Sequence, residues 1–198
     1  MSNGPSGEPP PGSVDELRGP TVLRMILGTQ LRRLREAADV TPDQAGYEIR
    51  ASRSKISRME HGRVGFKDRD VADLLTLYGI SDEQMRARML ASVRHANAPG
   101  WWSKYGDLLP DWFEEYLGLE GAASVVRTFE LQFVHGLFQT ESYARAVTLL
   151  GHKTAPAEEI DRRVSLRIKR QDILASPEPP QVWSVMDESV LRRPVGRL

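Results

Sequence analysis

Apolar residues recur at helical spacing along residues 21–38, TVLRMILGTQLRRLREAA, and this pattern predicts an amphipathic helix. The positions expected to line a core on its inner face are Leu23, Ile26, Leu27, Gln30, Leu31 and Leu34. The basic residues expected mostly on the opposite face are Arg24, Arg32, Arg33 and Arg35. The ordered part of the chain is therefore predicted to begin near residue 21, with a helix that is apolar on one side.

Two short helices are predicted next. Thr41 is a favourable N-cap, and Pro42 suits the first helical position because its missing N–H would be unpaired there anyway, so a helix should cover PDQAGYEI. Ser52 is expected to cap a third helix, RSKISRMEH, after a tight connection. Gly62 is the type of residue that ends a helix, which sets the length of the third one.

A fourth helix is predicted over about residues 67–78, and a fifth over about residues 82–97 with Ser81 as its cap. Five helices joined by short loops predict one compact α-domain over residues 21–98. The Ala-Pro-Gly sequence that follows is the expected domain boundary.

The pattern changes beyond residue 99. The segment GWWSKYGDLLPDWFEEYLGLE is dense in aromatic residues, whereas VVRTFELQFV and QVWSVMDES have the composition and partial alternation of strands. Between them lie a capped helix, TESYARAVTLLG, and a longer helix over residues 158–175. Residues 99–198 are therefore predicted to form an α+β domain, incomplete because no capping pattern precedes the end at PVGRL. The predicted fold is mainly α, with a five-helix domain followed by this incomplete α+β domain.

Composition and charge narrow the function. The 27 basic and 27 acidic side chains cancel, but residues 24–67 carry a balance of +5 and residues 100–160 a balance of −5. The first region can be attracted to phosphate and the second is repelled by it. Residues 1–20 are rich in Pro, Gly and Ser and are expected to form a disordered tail, not a signal peptide.

Several kinds of chemistry find no support in the sequence. Cysteine is absent, the four histidines are scattered, and neither a nucleophile elbow nor a glycine-rich phosphate loop is present. No apolar run approaches the roughly 20 residues of a membrane span. We therefore expect no enzyme activity, metal, cofactor or membrane association, and a cytoplasmic, nucleoid-associated protein.

The segment TPDQAGYEIRASRSKISRMEHG, residues 41–62, carries the functional signal. Ala45 and Gly46 are small enough for two helices to approach closely, and the apolar anchors expected to join them are Ile49, Ile56 and Met59. The polar side chains expected on the opposite face of the second of these helices are Arg53, Ser54, Lys55, Ser57 and Arg58. This arrangement is typical of a helix-turn-helix, whose second helix enters the major groove. The plain alternative is an αα-hairpin with solvated charges.

The pattern S-x-S-x-I-S-R-M-E-x-G over residues 52–62, together with LRRLREAA, resembles the Xre family of phage-repressor-like regulators. The resemblance implies a five-helix, phage-repressor-like DNA-binding domain that binds a double-stranded DNA operator as a homodimer. It implies base contacts from Arg53, Ser54 and Arg58, nearby phosphates at Thr41 and Lys55, and a structural role for Glu60. Pro42 departs from the family, where a polar residue often reaches DNA.

The basic residues around the third helix are expected to divide between bases and phosphates. Arg58 is the preferred base reader because it lies one turn beyond Ser54, whereas Arg53 could instead contact the backbone. Arg50 and Arg63 flank the helix and could neutralise phosphates. The full predicted DNA-binding set is Thr41, Arg50, Arg53, Ser54, Lys55, Ser57, Arg58 and Arg63.

The second half resembles the C-terminal domain of an actinobacterial, antitoxin-like group of regulators. The matching blocks are EGAASVVRTFE, FVHGLFQTESYARAV, RRVSLRIKRQDIL and VWSVMDESVLRRPVG. This likeness implies an interaction or sensing module, with a small acidic protein encoded nearby as its partner. Relatives continue beyond the last block, so the chain is expected to be truncated.

Two side-chain groups of this half have open interpretations. An aromatic cluster could pack between domains, form a dimer surface or line a small-ligand pocket; its members are Trp101, Trp102, Tyr105, Trp112, Phe113 and Tyr116. A basic face is expected to be solvated or to contact DNA or an acidic protein; its members are Arg162, Arg163, Arg167, Lys169 and Arg170.

The function predicted from all of this is sequence-specific DNA binding that controls transcription, by a homodimer on an operator whose half-sites are about one helical turn apart. The alternative is an antitoxin-like interaction module that binds a small acidic partner and uses its DNA binding for autoregulation. An enzyme with a DNA-binding head is the weakest hypothesis, because no catalytic cluster supports it.

Overall fold

The computed structural model describes residues 19–195, which form two compact units, one ending at Gly100 and the other beginning at Trp101. The described residues are mainly helical, with a single two-stranded sheet in the second unit, so the predicted fold class is confirmed. The predicted disordered tail lies outside the described residues except for Gly19 and Pro20, and Pro20 already belongs to the first helix. No helix in the described part of the chain is long and apolar enough to cross a membrane.

The first unit contains five helices: α1 (Pro20–Ala37), α2 (Pro42–Glu48), α3 (Arg53–Glu60), α4 (Asp68–Leu77) and α5 (Glu83–Ala96). The predicted cap at Thr41 is confirmed, and it forms a reciprocal pair in which the Gln44 backbone N–H donates to Thr41 Oγ1 and Thr41 N–H donates to Gln44 Oε1. The predicted cap of α5 is wrong by one residue. Asp82 is the N-cap, and its carboxylate accepts the N–H groups of Gln84 and Met85, which the first turn of the helix leaves unpaired.

The core of this unit receives side chains from all five helices. Leu27 and Leu31 of α1 meet the three predicted anchors of the helix-turn-helix, and all are almost fully buried. Burial of each such side chain contributes about 1.5–3 kcal/mol to folding. Two details of the α1 prediction are wrong. Gln30, predicted to face the core, is exposed to water, as suits its polar amide. Arg35, predicted on the solvent side, is buried because its guanidinium pairs with the Glu60 carboxylate.

The second unit begins with a 3-10 segment, Trp101–Leu108, and contains α6 (Asp111–Glu120), β1 (Val125–Glu130), α7 (Glu141–Gly151), α8 (Ala157–Lys169), β2 (Gln181–Met186) and α9 (Glu188–Arg192). Both predicted strands are present, and they pair in parallel, with Val125 opposite Gln181 and Glu130 opposite Met186. The longer predicted helix is α-helical only to Lys169 and then tightens into a 3-10 segment, Arg170–Ala175. Neither α6 nor α9 was predicted.

A buried ion pair organises the second unit. Arg170 NH2 donates to Glu120 Oε1 at 2.6 Å, Arg170 Nε donates to the other carboxylate oxygen, and the guanidinium also contacts the Tyr116 hydroxyl and ring. Burial lowers the pKa of Arg170, but the hydrogen bonds and the charge of Glu120 together outweigh it, so the pKa of Arg170 is raised. Arg170 is 7% exposed, so the interpretation of its helix face as solvated is wrong for this residue.

Candidate DNA-binding surface

The turn between α2 and α3 depends on a small residue, as predicted. A Cβ on Gly46 would lie 2.7 Å from the carbonyl oxygen of Ala51, a backbone atom that cannot rotate away. The Ala51 N–H donates to the Gly46 carbonyl at 2.8 Å, which closes the turn. Arg50 lies in this turn with φ of +52°, in the left-handed region that side chains other than glycine adopt at a cost.

The inner side of α3 is anchored against α1 through both apolar and charged contacts. Ile56 and Met59 are each 1% exposed. Glu60, at the last position of α3, accepts from Arg35 Nε at 2.6 Å and from Arg35 NH2 at 3.0 Å. These bonds raise the pKa of Arg35, and the predicted structural role of Glu60 is confirmed. α3 is therefore held against α1 by apolar contacts and by an ion pair.

The outer side of α3 is exposed to solvent. The predicted contact residues on it that are exposed are Arg53, Ser54, Ser57 and Arg58. Arg53 NH1 is 3.7 Å from Asp43 Oδ2, a long contact between two well-exposed side chains that water and salt weaken readily. Arg58 has no carboxylate within ion-pair distance among residues 19–195. Of the α3 side chains, Arg58 is thus the cation best able to take a new partner.

Lys55 differs from the other predicted contacts. Its ammonium lies 2.7 Å from Asp70 Oδ2, and the Asp70 side chain is only 5% exposed. Asp70 belongs to the first turn of α4, so this ion pair ties α3 to α4. Much of the positive charge of Lys55 is already offset inside the unit, which leaves less for a phosphate.

The flanks of α3 present the remaining predicted residues. Thr41, Arg50 and Arg63 are exposed, and neither arginine has an ion-pair partner within residues 19–195. The Arg63 N–H donates to the Arg58 carbonyl at 2.9 Å, while Gly62 adopts φ of +68° and ends the helix as predicted. Arginines without an ion-pair partner among residues 19–195 thus lie before α3 (Arg50), on it (Arg58) and just after it (Arg63).

Three supporting residues escaped the sequence analysis. Gly28 in the middle of α1 faces the backbone of α3, where a Cβ would come within 2.3 Å of the Met59 carbonyl oxygen. Arg35 forms the buried ion pair with Glu60, and Asp70 forms the ion pair with Lys55. The only available signal was Gly28 itself, since a glycine inside a helical pattern often marks a close approach.

The arrangement of two short capped helices within a five-helix unit defines a helix-turn-helix domain, the class of domain that binds DNA. Comparison with known families agrees: residues 26–89 match the helix-turn-helix domain family. Residues 113–197 match a domain of unknown function, DUF5753. No curated protein and no solved structure matches the chain significantly. The chain therefore carries an N-terminal helix-turn-helix domain and a C-terminal DUF5753 domain.

Proposed function

We propose that this protein is a sequence-specific regulator of transcription that inserts α3 into the DNA major groove. The observation that carries the proposal is the contrast between the two sides of α3. Its inner side is buried and ion-paired, while its outer side offers the exposed Arg58, which has no acidic partner among residues 19–195. A rigid helix with free polar side chains is what base readout requires. The fold and the sequence pattern also support a relationship to the Xre-type phage-repressor-like regulators.

Within this proposal, Arg58 reads a base, because an arginine can bond O6 and N7 of guanine together. Ser54 lies four residues before it on the same helix and contributes a second polar contact. Arg50, Arg63 and Thr41 contact phosphates, which position the helix but carry no sequence information. Lys55 braces α3 through Asp70 and contributes less to phosphate binding than its position on α3 suggests.

We further propose that the protein acts as a homodimer on a two-fold operator, with half-sites about 34–36 Å apart, or a multiple of that distance. Genome-wide mapping of the bound sites would yield the operator. Footprinting would then reveal whether two half-sites are protected at that spacing. Protection of a single, asymmetric site would contradict the dimer.

The substitution Arg58→Ala tests the base reader. We expect it to weaken binding to the operator by about 1–3 kcal/mol and to change binding to random DNA of equal length little. Fluorescence anisotropy at fixed salt measures both affinities. Arg94→Ala, which removes an exposed arginine of α5, is the matched control and should leave both unchanged. Equal losses on the two DNAs would remove Arg58 from base readout.

The substitution Arg50→Gly separates stability from binding. Glycine relieves the left-handed backbone strain at this position, so the free energy of unfolding should increase by up to about 1 kcal/mol. Loss of a phosphate contact should nevertheless weaken DNA binding and reduce the slope of log affinity against log salt by about 1. Denaturant titration and anisotropy at several salt concentrations provide the two measurements. A more stable variant with an unchanged salt slope would show that Arg50 makes no phosphate contact.

A second candidate function is favoured by one face of the β-sheet. On this face Arg127 lies opposite Trp183, and Phe129 lies opposite Val185. All four residues are exposed, so three apolar side chains surround one cation. We propose that this apolar face with a central cation binds a small acidic protein, in the manner of an antitoxin-like module. Trp183→Asp should abolish co-purification of an acidic neighbouring gene product and leave DNA affinity intact. Retention of that product by the variant would contradict this function.

A further inference from the structure

The second unit contains a cavity of about 560 Å³, a size typical of small-molecule sites. Its wall combines residues from the start of α6 with residues of α7 and α8 and of the loop after β1. The main apolar side chains of this wall are Leu108, Trp112, Phe113, Phe133, Val147 and Leu166. All of the lining residues belong to the second unit.

Three guanidinium groups also line the cavity, and they are not equivalent. Arg163 is bound to Glu159 at 2.8 Å, and Arg170 is held by Glu120. Arg167 has no carboxylate within ion-pair distance among residues 19–195; its one side-chain hydrogen bond there is a long one, 3.4 Å from NH1 to Thr148 Oγ1. Most of its five N–H donors therefore have no protein acceptor in the described chain.

The surroundings of Arg167 disfavour an isolated charge. Burial lowers the pKa of Arg167, and the nearby positive charge of Arg170 lowers it further. A half-buried cation without a counter-ion costs free energy that an incoming anion would recover. The cavity thus carries an excess of positive charge at Arg167.

A smaller cavity of about 330 Å³ adjoins this one, and the two share Trp112, Phe113, Phe133, Val147, Arg167 and Arg170. Gln139 lines the smaller cavity and is only 6% exposed. Its Nε2 donates to the Val134 carbonyl at 2.6 Å, while its Oε1 has no hydrogen-bond partner within the described residues. A buried acceptor without a donor is rare in folded proteins and indicates that a donor group can be accommodated there.

We propose that the two joined cavities, here called the Arg167 pocket, bind a small amphipathic monocarboxylate. Its carboxylate pairs with Arg167, its apolar body lies against Trp112 and Phe133, and a hydroxyl or N–H group, where present, donates to Gln139. A single negative charge fits best, because Arg167 is the only lining guanidinium in the described chain without an acidic partner and Glu130 lines the smaller cavity.

Calorimetric titration of the full chain tests the proposal with defined probes. The probes are three carboxylates that differ in their apolar part: 2-naphthoate, indole-3-acetate and octanoate. They are compared with 2-naphthamide, which has the shape of 2-naphthoate but no charge. At least one carboxylate should bind, and 2-naphthoate should bind about tenfold or more tightly than 2-naphthamide, since a charge-assisted hydrogen bond contributes that much. Equal affinities for the matched pair, or no binding by any of the three carboxylates, would overturn the proposal.

Variants locate the anion. Arg167→Gln should weaken binding of the carboxylate by about tenfold or more and leave the affinity for 2-naphthamide unchanged. Arg167→Lys should retain part of the preference for the carboxylate over the amide. The matched control is Arg162→Gln on the same helix, whose guanidinium bonds Asp107 outside the pocket. Val147→Trp, which fills both cavities, should abolish binding of every probe. Full carboxylate affinity in folded Arg167→Gln would exclude this site.

Discussion

Replacement of Glu60 by alanine is expected to lower the free energy of unfolding of the helix-turn-helix unit by about 3–5 kcal/mol. The Glu60 carboxylate accepts two hydrogen bonds from Arg35, at 2.6 and 3.0 Å, and both side chains are more than nine-tenths buried. The variant would leave the Arg35 guanidinium buried without its counter-ion. Because the pair joins α1 to the end of α3, DNA binding should be lost together with stability.

Two spectroscopic signals separate the units in this experiment. All four tryptophans lie beyond residue 100, so their fluorescence reports the second unit, whereas far-ultraviolet circular dichroism reports both. During unfolding in urea, the helix-turn-helix unit should change the dichroism without changing the fluorescence. Glu60→Ala should move this part of the dichroism transition to a lower urea concentration.

The control is Glu36→Ala, which breaks the exposed pair with Arg32 and a longer contact, 3.7 Å, with Arg35. It should leave the transition nearly unchanged, because the Glu36 side chain is half exposed. The double variant Arg35→Met, Glu60→Met should recover much of the loss, since apolar replacement removes both buried charges. A shift no larger for Glu60→Ala than for Glu36→Ala would show that the buried pair does not hold α3.

Gly28→Ala is expected to destabilise the same unit by about 3 kcal/mol or more, the upper range for an overpacked core. The added Cβ would lie 2.3 Å from the Met59 carbonyl oxygen and 2.8 Å from that of Glu60. Both atoms are backbone, so relief requires α1 and α3 to move apart. That movement would displace α3, the helix proposed to enter the major groove.

Urea unfolding followed by the same two signals measures the Gly28 effect. Gly151→Ala at the end of α7 is the matched control, since no atom lies within 4 Å of its added Cβ and the backbone there is ordinary. It should be neutral or slightly stabilising, because alanine favours helix. Wild-type stability of Gly28→Ala would mean that α1 and α3 are not in close contact.

The elements of the first unit that could be predicted from the sequence are those with local causes. The start of α2 follows from the capping side chain of Thr41, the end of α3 from the backbone freedom of Gly62, and the buried face from the 3.6-residue period. The two strands were equally predictable from alternation and composition, although their parallel pairing was not.

The site was harder to predict wherever one side chain meets another far along the chain. Arg35 looks like any solvated arginine of α1, and only the fold brings Glu60, 25 residues away, against it. In the same way, Lys55 looks like a phosphate contact until the fold brings Asp70 beside its ammonium. A helical period predicts which face is polar, but it does not predict whether a polar residue meets water, phosphate or a buried acid.

By itself, then, the sequence determined that the chain carries a helix-turn-helix with a polar outer face, because caps, turns and periodicity act over a few residues. Only the tertiary structure decided which charges are already neutralised, at Arg35, Lys55 and Arg170, and which stay available, at Arg58 and Arg167. The reason is physical: the availability of a charge depends on the burial and on the partners that distant segments supply, and these exist only once the chain has folded.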